Sequence, residues 1–302
     1  MTGGVDRPGR EGRSLRLGRL AVIGVGLIGG SLARALRAAG CVERITGIGR
    51  SAENLRTAER LGIIDDWSHD VAAVEGADTI VVAVPMGAYD QVFSALELHA
   101  RSDAVITDVG STKQHALDTA ARYLTAPGRF VAGHPIAGTE DSGAAASFVG
   151  LFRGATVVLT PGAAVEQEAV RRVEAMWRVV GASPCFMDAA EHDRLMAAVS
   201  HLPHLAAFAI VNAVTAEGRA PEMLRFAAGG FRDFTRIASS SPTMWRDIAL
   251  TNREALVAQI DALQAQLTGM RQAVVEGDGA RLAALFQCAK RVRDDWLHRS
   301  DS

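Results

Sequence analysis

Along the first 190 positions, apolar and β-branched residues fall into short dense runs separated by stretches of helical period. Runs at 20–23, 44–48, 79–85, 104–109, 130–132, 155–160 and 185–187 read as strands, too short and too continuous for amphipathic helices. The run 79–85 is apolar until Pro85 stops it, as suits a parallel strand covered on both faces. Between strands, Leu32, Ala33, Leu36 and Ala39 mark one face of a helix ending near Gly40, and 165–180 reads as another. This alternation predicts an α/β, Rossmann-like unit whose mostly parallel sheet holds all seven runs.

The pattern changes at about Asp188, after which no strand is expected. Asp188 caps a long Ala-rich helix running through His201 and His204 towards Glu217, with a kink at Pro203. Gly229-Gly230 breaks the chain, and Ser241-Pro242 pairs an N-cap with a proline at the first helical position. Leu256, Ile260, Leu263, Leu267, Met270 and Val274 form a heptad seam, and Asp278 opens a last helix to about Leu297. We therefore expect a disordered basic arm over 1–18, a dinucleotide-binding domain over 19–187 and an all-α domain over 188–302. The early helix is apolar on more than one face, which predicts a homodimer built on the helical domain.

Composition adds bounds. The 302 residues are 48% hydrophobic and 22% charged, enough for a core in each of two domains. A net charge of -2 gives no field favouring nucleic acid or a membrane surface. Arg7, Arg10, Arg13, Arg16 and Arg19 recur every three residues, but no apolar segment follows to make a secretory signal. No uninterrupted apolar run approaches the ~18–20 residues of a membrane span. Cys41, Cys185 and Cys288 lie far apart, which argues against a disulfide framework or zinc module and fits a reducing compartment. A soluble cytoplasmic protein is expected.

The first strand leads directly into Gly24-Val25-Gly26-Leu27-Ile28-Gly29-Gly30-Ser31 and then a helix, the context that a dinucleotide fingerprint requires. Gly24 permits the turn, Gly26 lets the backbone approach the pyrophosphate, and Gly29 lets helix pack on strand. The helix N-terminus offers N–H groups to the phosphates. An acidic residue ending the second strand would hold the ribose of NAD; here Gly49-Arg50-Ser51 stands there, which favours NADP over NAD. With Leu27, Ile28, Val84 and Pro85, these residues form the expected cofactor contacts. Gly110-Ser111-Thr112-Lys113 resembles a phosphate loop but lacks the Walker spacing, so ATP is not expected. A strand end opens into Gly133-His134-Pro135-Ile136-Ala137-Gly138-Thr139-Glu140, where α/β enzymes place chemistry; His134 is its titratable group nearest neutrality. His201 and His204 have a spacing able to ligate metal, but no third ligand is evident and no metal is expected.

The glycine fingerprint, 108–113, 133–138, Ser200-His201-Leu202-Pro203-His204 and Phe231-Arg232-Asp233-Phe234-Thr235-Arg236-Ile237, in this order, resemble the prephenate/arogenate dehydrogenase family over nearly the whole chain after the arm. The resemblance implies oxidative decarboxylation of a cyclohexadienol in tyrosine biosynthesis, with hydride leaving ring C4 for NAD(P) and the ring carboxylate leaving as CO2. It implies His134 as catalytic base or hydrogen-bond acceptor at the C4 hydroxyl, with Ser111 beside it. Arg236 matches the residue that holds a substrate carboxylate. His201 and His204 match pocket-lining positions, and Glu140 matches one that gates or orients substrate. Asp233 belongs to the Arg236 cluster, and Trp245 closes the pocket. No appended regulatory or mutase domain is expected, and hence no end-product control by one. Alternatives are a 4-amino-4-deoxyprephenate dehydrogenase, a β-hydroxyacid-type dehydrogenase and a non-catalytic dinucleotide sensor. The β-hydroxyacid enzymes use a lysine on the long helix, and 188–217 contains none.

Overall fold

A computed structural model describes residues 15–139, 141–216 and 218–300. β1 (Gly18–Ile23), β2 (Val42–Ile48), β3 (Asp66–Ser68), β4 (Thr79–Val82), β5 (Val105–Asp108) and β6 (Phe130–Val131) form one sheet, ordered β3-β2-β1-β4-β5-β6 with every neighbouring pair parallel. Alternation within β1 explains why it is central: Leu20 and Val22 enter a core with α1 (Leu27–Ala38), whereas Ala21 and Ile23 enter the core on the other face. That strand order reverses direction between β1 and β4, so a crevice opens at their carboxyl ends, where dinucleotides bind in such sheets. α2 (Ala52–Arg60), α3 (Tyr89–His99), α4 (Lys113–Tyr123) and α5 (Gln167–Val179) pack around the sheet.

The seven expected strands do not share one sheet. β7 (Gly133–Pro135), β8 (Thr156–Leu159) and β9 (Ser183–Phe186) make a second sheet, with β7 antiparallel to β8 and β8 parallel to β9. Ala132 alone separates β6 from β7, and its carbonyl accepts the N–H of Thr160 at 2.9 Å. A strand that changes sheet in one residue leaves no turn signal in the sequence. The change carries His134 out of the parallel sheet to its carboxyl edge. β3 was not expected either, because Asp66-Trp67-Ser68 has no apolar run.

Residues 1–14 of the expected arm lie outside the described residues. Its end is not arm-like: Leu17 is fully buried, its N–H bonds the carbonyl of Cys41 at 2.8 Å, and β1 already starts at Gly18.

Beyond β9 the described residues are helical. The elements are α6 (Ala189–Met196), a π-helical turn (Ala197–His201), α7 (Leu202–Thr215), α8 (Ala220–Leu224), α9 (Gly229–Thr235), α10 (Pro242–Thr251), α11 (Arg253–Glu276) and α12 (Gly279–Ser300). Asp188 caps α6 through the N–H groups of Ala190 and Glu191, and Ser241 caps α10. Pro203 does not end the long helix: the wider π-turn just before it accommodates its missing N–H and its ring. Ala189–Thr215 is long and apolar enough by composition to cross a bilayer, at a mean hydropathy of 1.4, despite its interrupting His, Asp and Arg residues. Only 17% of its most apolar window is buried within the chain. The α11 seam is also only partly filled: Leu256 is buried, whereas Leu267 and Val274 are exposed, as are Val199, Leu250 and Phe226 elsewhere in this half.

Candidate active site

The carboxyl edge of the sheet is shaped by glycines at two points. Gly24 has φ +99°, and a Cβ there would lie 2.2 Å from the carbonyl oxygen of Ala83; at Gly29 it would lie 2.3 Å from that of Gly24. At Gly26 a Cβ would meet nothing within 4 Å, so open space lies where the fingerprint places a pyrophosphate. α1 starts at Leu27 with no side-chain cap and no acidic residue in its first turn, leaving its N–H groups and positive end to an anion. Leu27 is buried and Ile28 half-buried. Val84 and Pro85 follow the end of β4, and the backbone of Val84 lies against Gly24. These residues fit a dinucleotide.

At the second corner, Gly49 follows β2, and a Cβ there would make only an ordinary 3.5 Å contact with Leu55. Arg50 is exposed and makes no ion pair among the described residues. Ser51 caps α2, its side-chain oxygen accepting the N–H of Asn54. Its hydroxyl proton remains free to donate.

His134 lies across the edge, on β7, and joins a chain of side chains from the helical half. His134 Nδ1 is 2.8 Å from His192 Nε2, and His192 Nδ1 is 2.7 Å from Asp193 Oδ1. Asp193 also accepts the N–H groups of Lys113 (2.8 Å) and Gln114 (3.0 Å), so it caps α4 from another element. A carboxylate in this setting only accepts, which puts the His192 proton on Nδ1 and leaves His192 Nε2 an acceptor. His134 Nδ1 must then donate, and the lone pair of His134 is on Nε2. Burial holds the His134 pKa well below its usual value, and the neighbouring His192 ring, the Lys113 charge and the His201 ring further oppose a positive charge there. The ring is therefore a neutral base at neutral pH.

His201 and His204 stand beside this chain. Asn252 donates to the carbonyl of Asp193 and lies 3.1 Å from His201 Nδ1; as a donor to both, it leaves the His201 proton on Nε2, which is buried with no partner among the described residues. Burial lowers His201 to about 4, so it too is neutral. His204 donates from Nδ1 to the carbonyl of Ser200 and stacks on Trp245 at 3.7 Å between ring centroids. Its pKa is lowered by burial and by the charge of Arg236, partly offset by the bond to Ser200. Trp245 is 7% exposed, and its indole N–H is also buried with no partner among the described residues. These two donors, on His201 and Trp245, are open to an acceptor on a ligand.

Most of the expected residues thus cluster. Ser111 is half-buried in the loop between β5 and α4, with no side-chain hydrogen bond among the described residues. Arg236 approaches His204 but is exposed, as are Asp233 and Phe234, while Phe231 is half-buried. Glu140 lies outside the described residues. The sequence pattern did not point to His192, Asp193 or Asn252. The one local signal was an adjacent His-Asp pair in the first turns of a capped helix, and their partners lie 58 to 80 positions away.

Comparison with known proteins decides the family. Residues 32–185 match the family model described as prephenate dehydrogenase, nucleotide-binding domain, and residues 188–288 match the one described as prephenate dehydrogenase, dimerization domain. The chain belongs to the prephenate dehydrogenase family. A prephenate dehydrogenase of Bacillus subtilis is 39% identical over 281 residues, which is 91% of this chain and 75% of that protein. A cyclohexadienyl dehydrogenase of Zymomonas mobilis is 35% identical over 91% of this chain and 94% of that protein. The crystal structure of the Aquifex aeolicus prephenate dehydrogenase, in complex with hydroxyphenyl propionate and NAD+, superposes with a TM-score of 0.86 at 34% identity. It covers 93% of this chain and 99% of that one. The exposed apolar residues of α7, α10 and α11 lie in the half that matches the dimerization-domain model.

Proposed function

We propose that this chain is an NAD(P)-dependent oxidoreductase that oxidatively decarboxylates prephenate or arogenate in tyrosine biosynthesis, as a soluble cytoplasmic enzyme. The observation that carries the reading is the His134–His192–Asp193 chain, which aims a neutral imidazole lone pair from a strand end beside the dinucleotide crevice. When bound, the nicotinamide accepts hydride from ring C4 of the substrate. As C4 loses hydride, its hydroxyl gains carbonyl character and proton acidity, and His134 Nε2 accepts that hydrogen bond. The C1–carboxylate bond breaks, CO2 leaves, and its electron pair completes the aromatic ring; the phenol oxygen keeps the proton. Ser111 supplies a hydroxyl to the same oxygen. Arg236, with Asp233 in its cluster, holds a substrate carboxylate by paired N–H donors, and Glu140 gates or orients the substrate. The neutral donors of His201 and Trp245 face acceptors of the substrate, and His204 lines the pocket. The test is purified protein with NADP or NAD and either prephenate or arogenate, followed by absorbance of the reduced cofactor. Failure of both substrates to reduce either cofactor sinks the reading.

The cofactor corner supports NADP. Gly49 offers no carboxylate to the ribose, and Arg50 is uncommitted. A charge-assisted bond to a 2′-phosphate contributes about 1.5–3 kcal/mol, or roughly ten- to a hundred-fold in affinity. We expect kcat/KM to be higher with NADP, and Gly49→Asp with Arg50→Ala to reverse the preference; the mild contact at Gly49 leaves room for the new side chain. Tenfold better use of NAD by the native protein would refute this.

The helical half supports a homodimer. The heptad positions Leu267 and Val274 and the apolar face of α7 remain exposed in one chain. Light scattering at micromolar concentration should give twice the mass of one chain, and a monomer there would contradict the assignment.

A further inference from the structure

Lys113 is fully buried and takes no part in the mechanism above. Its Nζ donates to Asp108 Oδ2 at 2.5 Å and to the carbonyl of Gly133 at 2.7 Å. Asp108, also fully buried, accepts from Tyr89 Oη (2.7 Å) and the N–H of Gly110 (3.0 Å) on Oδ2, and from the N–H of Gly133 (2.9 Å) on Oδ1. Asp108 therefore holds the residue immediately before Ser111 and the residue immediately before His134. Lys113 closes the arrangement from the other side of the Gly133 residue.

We propose that Lys113, Asp108 and Tyr89 form a positioning unit that fixes His134 and Ser111 relative to each other, with Lys113 acting through His134 rather than on phosphate or substrate. This rests on the reading of His134 as the base. Three features support it. A buried ion pair adds little net stability against apolar packing of the same volume, so stability alone is a weak reason for it. The loops it holds have little slack: a Cβ at Gly110 would lie 2.3 Å from Tyr89 Oη, and one at Gly133 would lie 3.2 Å from both the carbonyl oxygen of Asp108 and Leu159 Cδ2. With both Nζ bonds directed to Asp108 and Gly133 inside the fold, the ammonium presents nothing to a phosphate in the crevice.

The test is a double-mutant cycle with prephenate or arogenate, whichever the native protein turns over. Lys113→Met combined with Asp108→Asn removes both charges together, so neither is stranded. It should lower kcat on the order of ten- to a hundred-fold, the scale on which misplacing a catalytic group costs rate. In a His134→Ala background the same change should cost less than about threefold, because the group it positions is gone. Tyr89→Phe keeps the ring stacked on Phe93 and guards against misfolding; it should lower kcat severalfold with the cofactor KM unchanged. Equal losses in both backgrounds, a rise confined to the KM for NADP, or native kcat with only a lowered Tm would each overturn the proposal. Turnover by the native protein and its loss in His134→Ala test the underlying reading separately.

Discussion

His134→Ala should lower kcat by roughly 10²- to 10⁴-fold, the range for loss of a general base, with cofactor affinity nearly native. The two effects separate because the glycine loop and the His134 strand belong to different elements. Gly24–Gly29 follows β1, whereas His134 is held by β8 on one side and His192 on the other. Removing the imidazole leaves the α1 N-terminus and its open approach at Gly26 untouched. The pH profile of the native enzyme carries a second expectation. The neutral form is the base, so activity is lost on acidification only when His134 takes up a proton. Burial, the neighbouring His192 and His201 rings and the Lys113 charge move that event well below 6.5. The acid limb of kcat/KM should therefore lie below 6.5, and it should vanish in His134→Ala. Near-native turnover in the variant, or an acid limb unaltered by it, would remove His134 from the role.

Those expectations rest on features of unequal legibility. The glycine fingerprint could be read because a strand, three glycines and a helix start are contiguous, and the physics of close backbone approach needs glycine at those places. His134 could be placed at a strand end because Gly and Pro bracket it. Its support could not be read. His192 and Asp193 lie in a short helix beside the exposed Glu191–Arg194 ion pair, and nothing in the local pattern says that Asp193 caps α4, 80 positions earlier. Lys113 is the reverse case: its motif is visible but fails as a phosphate loop, and its charge is turned inward onto Asp108 and Gly133. The single sheet failed at Ala132, where β6 is two residues long and no punctuation marks the exit. The α11 seam was expected to pack against another helix, yet Leu267 and Val274 are exposed in one chain; they lie in the half that matches a dimerization domain.

His192 offers the sharpest test of how the base is prepared. In neutral imidazole the proton can sit on either nitrogen, and only the form with Nε2 bare can accept from substrate. Asp193 holds the proton of His192 on Nδ1, and His192 Nε2 in turn holds that of His134 on Nδ1. His192→Leu removes the acceptor, strands the buried Nδ1–H of His134 and frees the ring to turn or to protonate on Nε2. A lost hydrogen bond at a buried donor costs about 1–3 kcal/mol, which corresponds to roughly five- to a hundred-fold in rate. We expect kcat to fall by that amount while Asp193 still caps α4 through Lys113 and Gln114. His192→Gln is the control. Its amide can accept from His134 with Oε1 and donate to Asp193 with Nε2, reproducing both roles without an imidazole. Recovery of most of the lost rate by Gln over Leu would show that His192 orients the base by hydrogen bonding. If Gln and Leu were equally slow, a proton held on the His192 ring would be required, and the tautomer argument would fail.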